Sequence, residues 1–155
     1  MGCAEQAVRS FPQKNGELSV DIEGFRSDEG KAIISLYAAG GGFPDGIERA
    51  WQTQSVIIES GHVHVLFTGV PYGEYALSAL HDEDGDGQMK KSWLGQPLEG
   101  FGFSGRPEYN FGPPAFADTS FLLLSATREI EVWMRYDTLR KNKQAERRTA
   151  QDGKP

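Results

Sequence analysis

Residues 16–23 read GELSVDIE and alternate strictly between apolar and polar side chains. Leu18, Val20 and Ile22 fall on one side of an extended chain, and the polar residues between them fall on the other. A period of two is typical of a β-strand with one face in a core and one face in water. This stretch therefore predicts a half-buried strand.

Six further predicted strands follow, with turn residues between them. They are residues 32–38, 55–58, 63–67, 75–80, 116–124 and 129–136. Seven short strands and almost no helix predict an all-β fold, specifically a seven-stranded antiparallel Greek-key β-sandwich. One short helix is expected after the second strand, where Asp45 and Glu48 can form a capping box.

The length of 155 residues suits one domain with a real core. We expect a flexible N-terminal tether at 1–15, a β-sandwich domain at 16–136 and a polar basic tail at 137–155, disordered or loosely helical. The tail has six basic and three acidic side chains and so a net charge of +3. Because the whole chain carries −6, the remaining residues carry −9. Such an acidic body is a poor partner for nucleic acid.

The chain has a single cysteine, Cys3, which excludes an internal disulfide. No apolar run is long enough for a transmembrane segment. The start Met1-Gly2-Cys3 resembles the end of a lipobox, in which a glycine precedes the lipid-bearing cysteine. Two interpretations stay open, a lipid anchor that holds the protein in the periplasm or at the cell surface and an incidental cysteine in the tether.

An acidic loop at residues 81–87, HDEDGDG, follows the predicted fifth strand. Asp82, Asp84 and Asp86 have the spacing of the first half of a calcium loop, in which the backbone carbonyl of Gln88 would be the next ligand. These oxygens predict a cation site, with calcium as the expected ion.

The pattern departs from an EF-hand because Trp93 stands where a bidentate glutamate is needed. A distant carboxylate, Glu99 or Asp118, or water would have to complete the site. The expected affinity is weak, on the order of 0.1 to 1 mM. The alternative is an acidic turn that Lys90 and Lys91 neutralise.

A long connection at residues 88–115 is rich in glycine, proline and aromatic residues. Long loops without secondary structure are often functional. Its rings could stack on a sugar or a peptide. The favoured interpretation is that they fold back and plug the open end of the sandwich. The candidate ligand-binding rings are Trp93, Phe101, Phe103, Tyr109 and Phe111.

Two histidines, His62 and His64, share one face of a strand, and such a pair can bind a transition metal. A solvent-facing stripe is the more typical interpretation. His81 precedes Asp82, but no serine or cysteine stands in a nucleophile motif with them. The sequence therefore predicts that the protein is not an enzyme.

Five motifs in order give the chain a family resemblance. They lie at residues 42–45, 70–76, 81–87, 94–104 and 111–116. Together they resemble a bacterial family known as domain-of-unknown-function family 2141, over roughly residues 16–136. The resemblance implies a small exported β-sandwich of the prealbumin (transthyretin) type, often with a signal peptide or lipid anchor, and no established activity. The family usually has a further aspartate where this chain has Lys90.

These observations favour an exported or surface-anchored binding or structural module, with an acidic loop that calcium can order. Its partner would be an unknown protein or glycan at the cell envelope. The first alternative is a carbohydrate-binding module with Trp93, Phe101 and Tyr109 as stacking platforms. The second is a small metal-dependent hydrolase that uses the acidic loop and His81.

Overall fold

The computed structural model describes residues 13–44, 46–87, 99–107 and 113–136. The strands are β1 (Asn15–Glu23), β2 (Lys31–Ala38), β3 (Gln52–Val56), β4 (His62–Pro71), β5 (Gly73–Asp82), β6 (Phe101–Phe103), β7 (Phe121–Leu123) and β8 (Thr127–Trp133). A single 3₁₀ turn spans Ile47–Arg49, and a four-residue helix, α1, spans Phe116–Thr119. The prediction of an all-β fold is confirmed.

Two sheets make up the described part of the chain. The smaller has the order β4-β1-β8. The larger has the order β3-β2-β5, and β6 and β7 both pair with β5, at different positions along it. The antiparallel neighbours β2 and β5 therefore form the centre of the second sheet, as β1 does in the first.

The core lies between these sheets and follows the predicted alternation. Leu18, Val20 and Ile22 of β1 are fully buried, and so are Ile34 and Leu36 of β2. Burying a side chain of this size contributes about 1.5–3 kcal/mol. One continuous cluster contains residues of both sheets, so each sheet covers the apolar face of the other.

One strand pair corrects the expectation of a purely antiparallel fold. β8 runs parallel to β1, with Val20 opposite Ile130 and Ile22 opposite Val132. Alternation fixes which face of a strand is buried, but it does not fix the direction of the neighbour, which depends on the route of the chain. The sequence therefore located both strands and not the direction of their pairing.

The connection and the predicted sixth strand also differ from expectation. Residues 116–124 divide into α1 and the short β7, because the segment 117–120 lacks a period of two. The Thr119 hydroxyl donates to the carbonyls of Ala115 and Phe116 and stabilises the helical turn. Within the predicted connection, β6 forms against β5, so eight strands are present in the described residues.

The short helix after β2 is present as the 3₁₀ turn. Its N-cap residue is Gly46, and no side chain caps it. The predicted capping residue, Asp45, lies outside the described residues, as do residues 1–12 of the predicted tether and the whole tail at 137–155.

Candidate cation site

The acidic loop begins inside the core, because the last two residues of β5 are buried. Asp82 is only 3% exposed. Its Oδ1 accepts the N–H of Gly85 at 3.0 Å, and its Oδ2 accepts the N–H of Gly87 at 2.9 Å. Both glycines have a positive φ, near +77° and +75°, which lets the chain turn back over the carboxylate. Asp82 therefore folds the loop around itself.

Four carboxylates converge at this loop. One oxygen from each of four residues lies within 4.8 Å of all the others, and the residues are Asp82, Asp84, Asp86 and Glu99. The Asp84 carboxylate also accepts the N–H of Asp86 at 3.2 Å. The structure thus brings together the three predicted aspartates and one of the two carboxylates suggested to complete the site. Gln88, the fourth predicted ligand, lies outside the described residues, as do Lys90 and Lys91.

Glu99 reaches the cluster because the segment before β6 is held against the end of β5. The N–H of His81 donates to the Gly100 carbonyl at 2.8 Å, and Glu99 Oε1 accepts the N–H of Glu83 at 3.2 Å. Glu99 is 4% exposed. The other suggested carboxylate, Asp118, lies in α1 and is not a member of the cluster.

The spacing of these oxygens suits a large, hard cation. Calcium binds oxygen at about 2.3–2.6 Å, so oxygens on opposite sides of the ion are about 4.6–5.2 Å apart. All four oxygens fit that limit without moving. Two carboxylates about 4.8 Å apart repel by about 0.9 kcal/mol even in water. The cluster therefore favours a cation on electrostatic grounds as well.

The fourth carboxylate of the loop, that of Glu83, has a different partner. Arg26 approaches Glu83 Oε1 at 2.6 Å through both Nε and a terminal nitrogen. The same guanidinium lies 4.7 Å from the centre of the Tyr136 ring. Neither contact was predicted, because Arg26 belongs to the β1–β2 turn and Tyr136 follows β8, and nothing in their local sequence marks them.

A buried histidine fixes the base of the loop. His81 is fully buried, and its Nε2–H donates to the Glu29 carbonyl at 2.7 Å. The Tyr136 hydroxyl accepts the backbone N–H of Arg26 at 3.0 Å and donates to His81 Nδ1 at 2.7 Å. Burial raises the pKa of Tyr136 above its usual value, although the Arg26 hydrogen bond opposes this. Both ring nitrogens of His81 therefore have structural partners.

Of the predicted aromatic ligands, only two lie in the described residues. Phe101 and Phe103 form β6, opposite Leu80 and Ser78 of β5. Phe103 is buried, and its ring meets that of Phe43 edge-on at 5.7 Å. Burial leaves little of the Phe103 ring for a ligand. Trp93, Tyr109 and Phe111 lie outside the described residues, and so does Cys3.

A shallow cleft of about 330 Å³ lies beside β6 and β8. Its lining combines two aromatic and two cationic side chains, those of Phe103, Arg106, Trp133 and Arg135. Trp133 is among the exposed large apolar residues. It was predicted only as part of a strand, and the pairing of β1 with β8 shows that it lies on the outer face, opposite Glu23.

The histidine pair lies on the outer face of the smaller sheet. His62 Nε2–H and His64 Nδ1–H both donate to the same oxygen of Asp21, at 3.2 and 2.9 Å. The His64 hydrogen bond lowers the pKa of Asp21 despite the opposing effect of partial burial. The sequence predicted that these histidines face solvent, but it did not show the carboxylate between them.

These features define a small two-sheet β protein that carries a four-carboxylate loop at the end of a central strand. Residues 20–131 match the model of a family described as "Uncharacterized protein conserved in bacteria (DUF2141)", and the chain belongs to this family. The resemblance seen in the sequence is confirmed. No curated protein and no solved structure matches the chain. In the part of the chain that the structure describes, no helix is long and apolar enough to cross a membrane.

Proposed function

We propose that this protein is a binding or structural module whose acidic loop is ordered by calcium, built on a prealbumin-like Greek-key sandwich. The observation that carries the proposal is the convergence of four carboxylates within 4.8 Å of one another. Two of them, on Asp82 and Glu99, are buried among backbone N–H donors. A calcium ion would tie the β5–β6 connection together at both ends, because Glu99 lies at the far end of it.

The contacts of His81 favour binding over hydrolysis. A metal-dependent hydrolase of the kind suggested by the sequence would need this histidine as a ligand or a base. Its Nε2 donates to a backbone carbonyl and its Nδ1 accepts from Tyr136. The ring is therefore a structural element beneath the loop, and the cluster above it offers only carboxylate oxygens.

Calcium should raise the melting temperature of the protein, and a chelator should reverse the rise. With a dissociation constant on the order of 0.1 to 1 mM, about 10 mM calcium corresponds to roughly 1.4–2.7 kcal/mol of added stability. Thermal unfolding in calcium, in magnesium and in chelator measures this. An unchanged melting temperature in calcium would contradict the proposal.

A carbohydrate-binding role is the second candidate, and the cleft beside β8 favours it. Exposed Trp133 offers a ring face, and Arg106 and Arg135 would suit an acidic sugar. A glycan panel that includes uronic acids should then change tryptophan fluorescence. The variant Trp133→Phe should lose that change, while Trp51→Phe should keep it. A response that persists in the Trp133 variant would exclude this cleft.

Residues Met1-Gly2-Cys3 support a further proposal, attachment to an envelope membrane through lipid on Cys3. The protein would then act in the periplasm or at the cell surface, on a protein or glycan partner. Mass spectrometry of the Cys3 peptide from native cells tests this, and an unmodified thiol would remove the anchor from the proposal.

A further inference from the structure

The outer face of the smaller sheet places two histidines next to two carboxylates. In the antiparallel pairing of β1 with β4, Asp21 stands opposite His64 and Glu23 stands opposite His62. All four side chains point away from the core, because the residues between them on each strand are buried. The register of one strand pair thus assembles four metal-ligating groups that are distant in sequence.

We propose that His62, His64 and Asp21 form a second cation site, specific for a divalent transition ion such as zinc, with Glu23 as the fourth ligand. His62 Nε2 and His64 Nδ1 lie 3.2 and 2.9 Å from Asp21 Oδ1. His62 Nε2 lies 3.6 Å from Glu23 Oε1. Three ligand pairs are therefore already in contact across the strands.

Three of the six ligand–ligand distances are close to the edges of a zinc coordination tetrahedron. With zinc–ligand bonds of about 2.0–2.1 Å, neighbouring ligand atoms are about 3.3–3.4 Å apart. The three measured separations, 2.9, 3.2 and 3.6 Å, lie on both sides of this value. The bound ion would replace the N–H protons that now point at the carboxylates, and each ring would carry its proton on the other nitrogen.

The group must close to hold an ion, because His62 Nε2 and His64 Nδ1 both contact Asp21 Oδ1 but lie more than 4.8 Å from each other. In the described residues, the acidic loop is the group in which three or more ligand atoms all lie within 4.8 Å of one another. In the histidine group, each short distance joins a histidine nitrogen to a carboxylate oxygen. The His62 and His64 side chains are 38% and 50% exposed, so rotation of the rings toward each other meets little packing.

Ligand chemistry separates the two sites. Imidazole nitrogens favour zinc, copper or nickel, whereas the oxygen-only loop favours calcium. The neighbourhood is acidic, because Glu131 of β8 stands opposite Asp21 and Glu129 stands opposite Ser19 on the same face. One positive group is nearby, since Arg106 pairs with Glu131 at 3.6 Å. The carboxylates on this face outnumber it.

Calorimetric titration with zinc tests the proposal on the untagged full chain. Cys3→Ser in all samples removes the thiol as a competing ligand, and excess calcium occupies the acidic loop. We expect one zinc ion per chain. His62→Gln, His64→Gln and Asp21→Asn should each weaken binding by about tenfold or more. Replacing even a residue that only hydrogen-bonds to a metal ligand typically costs about 10–100-fold in affinity. Glu129→Gln removes one charge from the same face and should change the affinity by less than about twofold.

Nitrogen-15 spectra of the histidine rings give a second readout. Non-specific attraction of zinc to the acidic face would leave these spectra unchanged. Zinc should shift the ring nitrogens of His62 and His64 and leave those of buried His81 unchanged. Two results would overturn the site: full affinity in the double variant His62→Gln/His64→Gln, or an equal loss in Glu129→Gln and Asp21→Asn. A negative result in the calorimetric titration or in the nitrogen-15 spectra would not affect the calcium proposal, because the acidic loop shares no residue with this group.

Discussion

Replacing His81 with alanine should lower the free energy of unfolding by about 3–5 kcal/mol. The imidazole is fully buried and accepts a hydrogen bond from Tyr136 while donating one to the Glu29 carbonyl. Its ring also packs edge-on against Phe25, with the centres 5.3 Å apart. Truncation leaves a cavity and two polar groups without their partner. Urea unfolding, monitored by circular dichroism, measures the loss.

The matched control is the same substitution at an exposed position. His64→Ala removes a half-exposed ring with one surface hydrogen bond to Asp21, and surface pairs contribute at most about 1 kcal/mol. A His81→Ala variant no less stable than His64→Ala would show that the buried network does not support the loop. His81→Gln, which can still donate and accept, should recover part of the loss.

The positions of the strands could be predicted from the sequence because the pattern of apolar and polar residues in each strand indicates which side chains are buried. Alternation at residues 16–23 reflects the period that packing imposes on a half-buried strand, and the apolar run at 75–80 is typical of a strand buried on both faces. The observed β1 and β5 contain these stretches. By contrast, residues 116–119 form a helix, which apolar content alone did not indicate.

The candidate cation site was only partly predictable, for a similar reason. The spacing of Asp82, Asp84 and Asp86 is a local signal, and one turn with two glycines brings them together. The position of Glu99 depends on the hydrogen bond between His81 and the Gly100 carbonyl, which is a tertiary contact. Gly100 itself is required there, because a Cβ would collide with the ring of Tyr136. No period or motif encodes a contact among three separate segments.

The roles of Asp21 and Arg26 were invisible in the sequence for the same reason. Asp21 reads as one polar member of an alternating strand, and only the register of β1 against β4 places it between two histidines. Arg26 reads as a turn residue, yet it pairs with the carboxylate of Glu83, which is not a member of the cluster. Contacts between side chains on different strands can be predicted only when the pairing of those strands is known.

Asp84→Asn should change the stability of the protein in opposite directions with and without calcium. Without the ion, the substitution removes one negative charge from a group of four and therefore three repulsive pairs, each of about 0.9 kcal/mol at about 4.8 Å before screening. Asp84 is exposed, so water and salt reduce the sum of the three to about 1 kcal/mol. The asparagine oxygen can still accept the N–H of Asp86, as the carboxylate does at 3.2 Å. The variant should therefore be more stable than the parent in chelator, by up to about 1 kcal/mol at low salt.

In about 10 mM calcium the order should reverse, because the parent gains roughly 1.4–2.7 kcal/mol and the variant lacks a charged ligand. Paired thermal melts of both proteins, in calcium and in chelator at low salt, give the four values needed. Asp118→Asn is the control, since this carboxylate lies in α1 outside the cluster, and its effect should be the same in both conditions. A full calcium shift in Asp84→Asn would mean that the ion, if bound, does not use this loop. A variant less stable than the parent even in chelator would mean that the four carboxylates do not repel, and the electrostatic reason for a cation here would be lost.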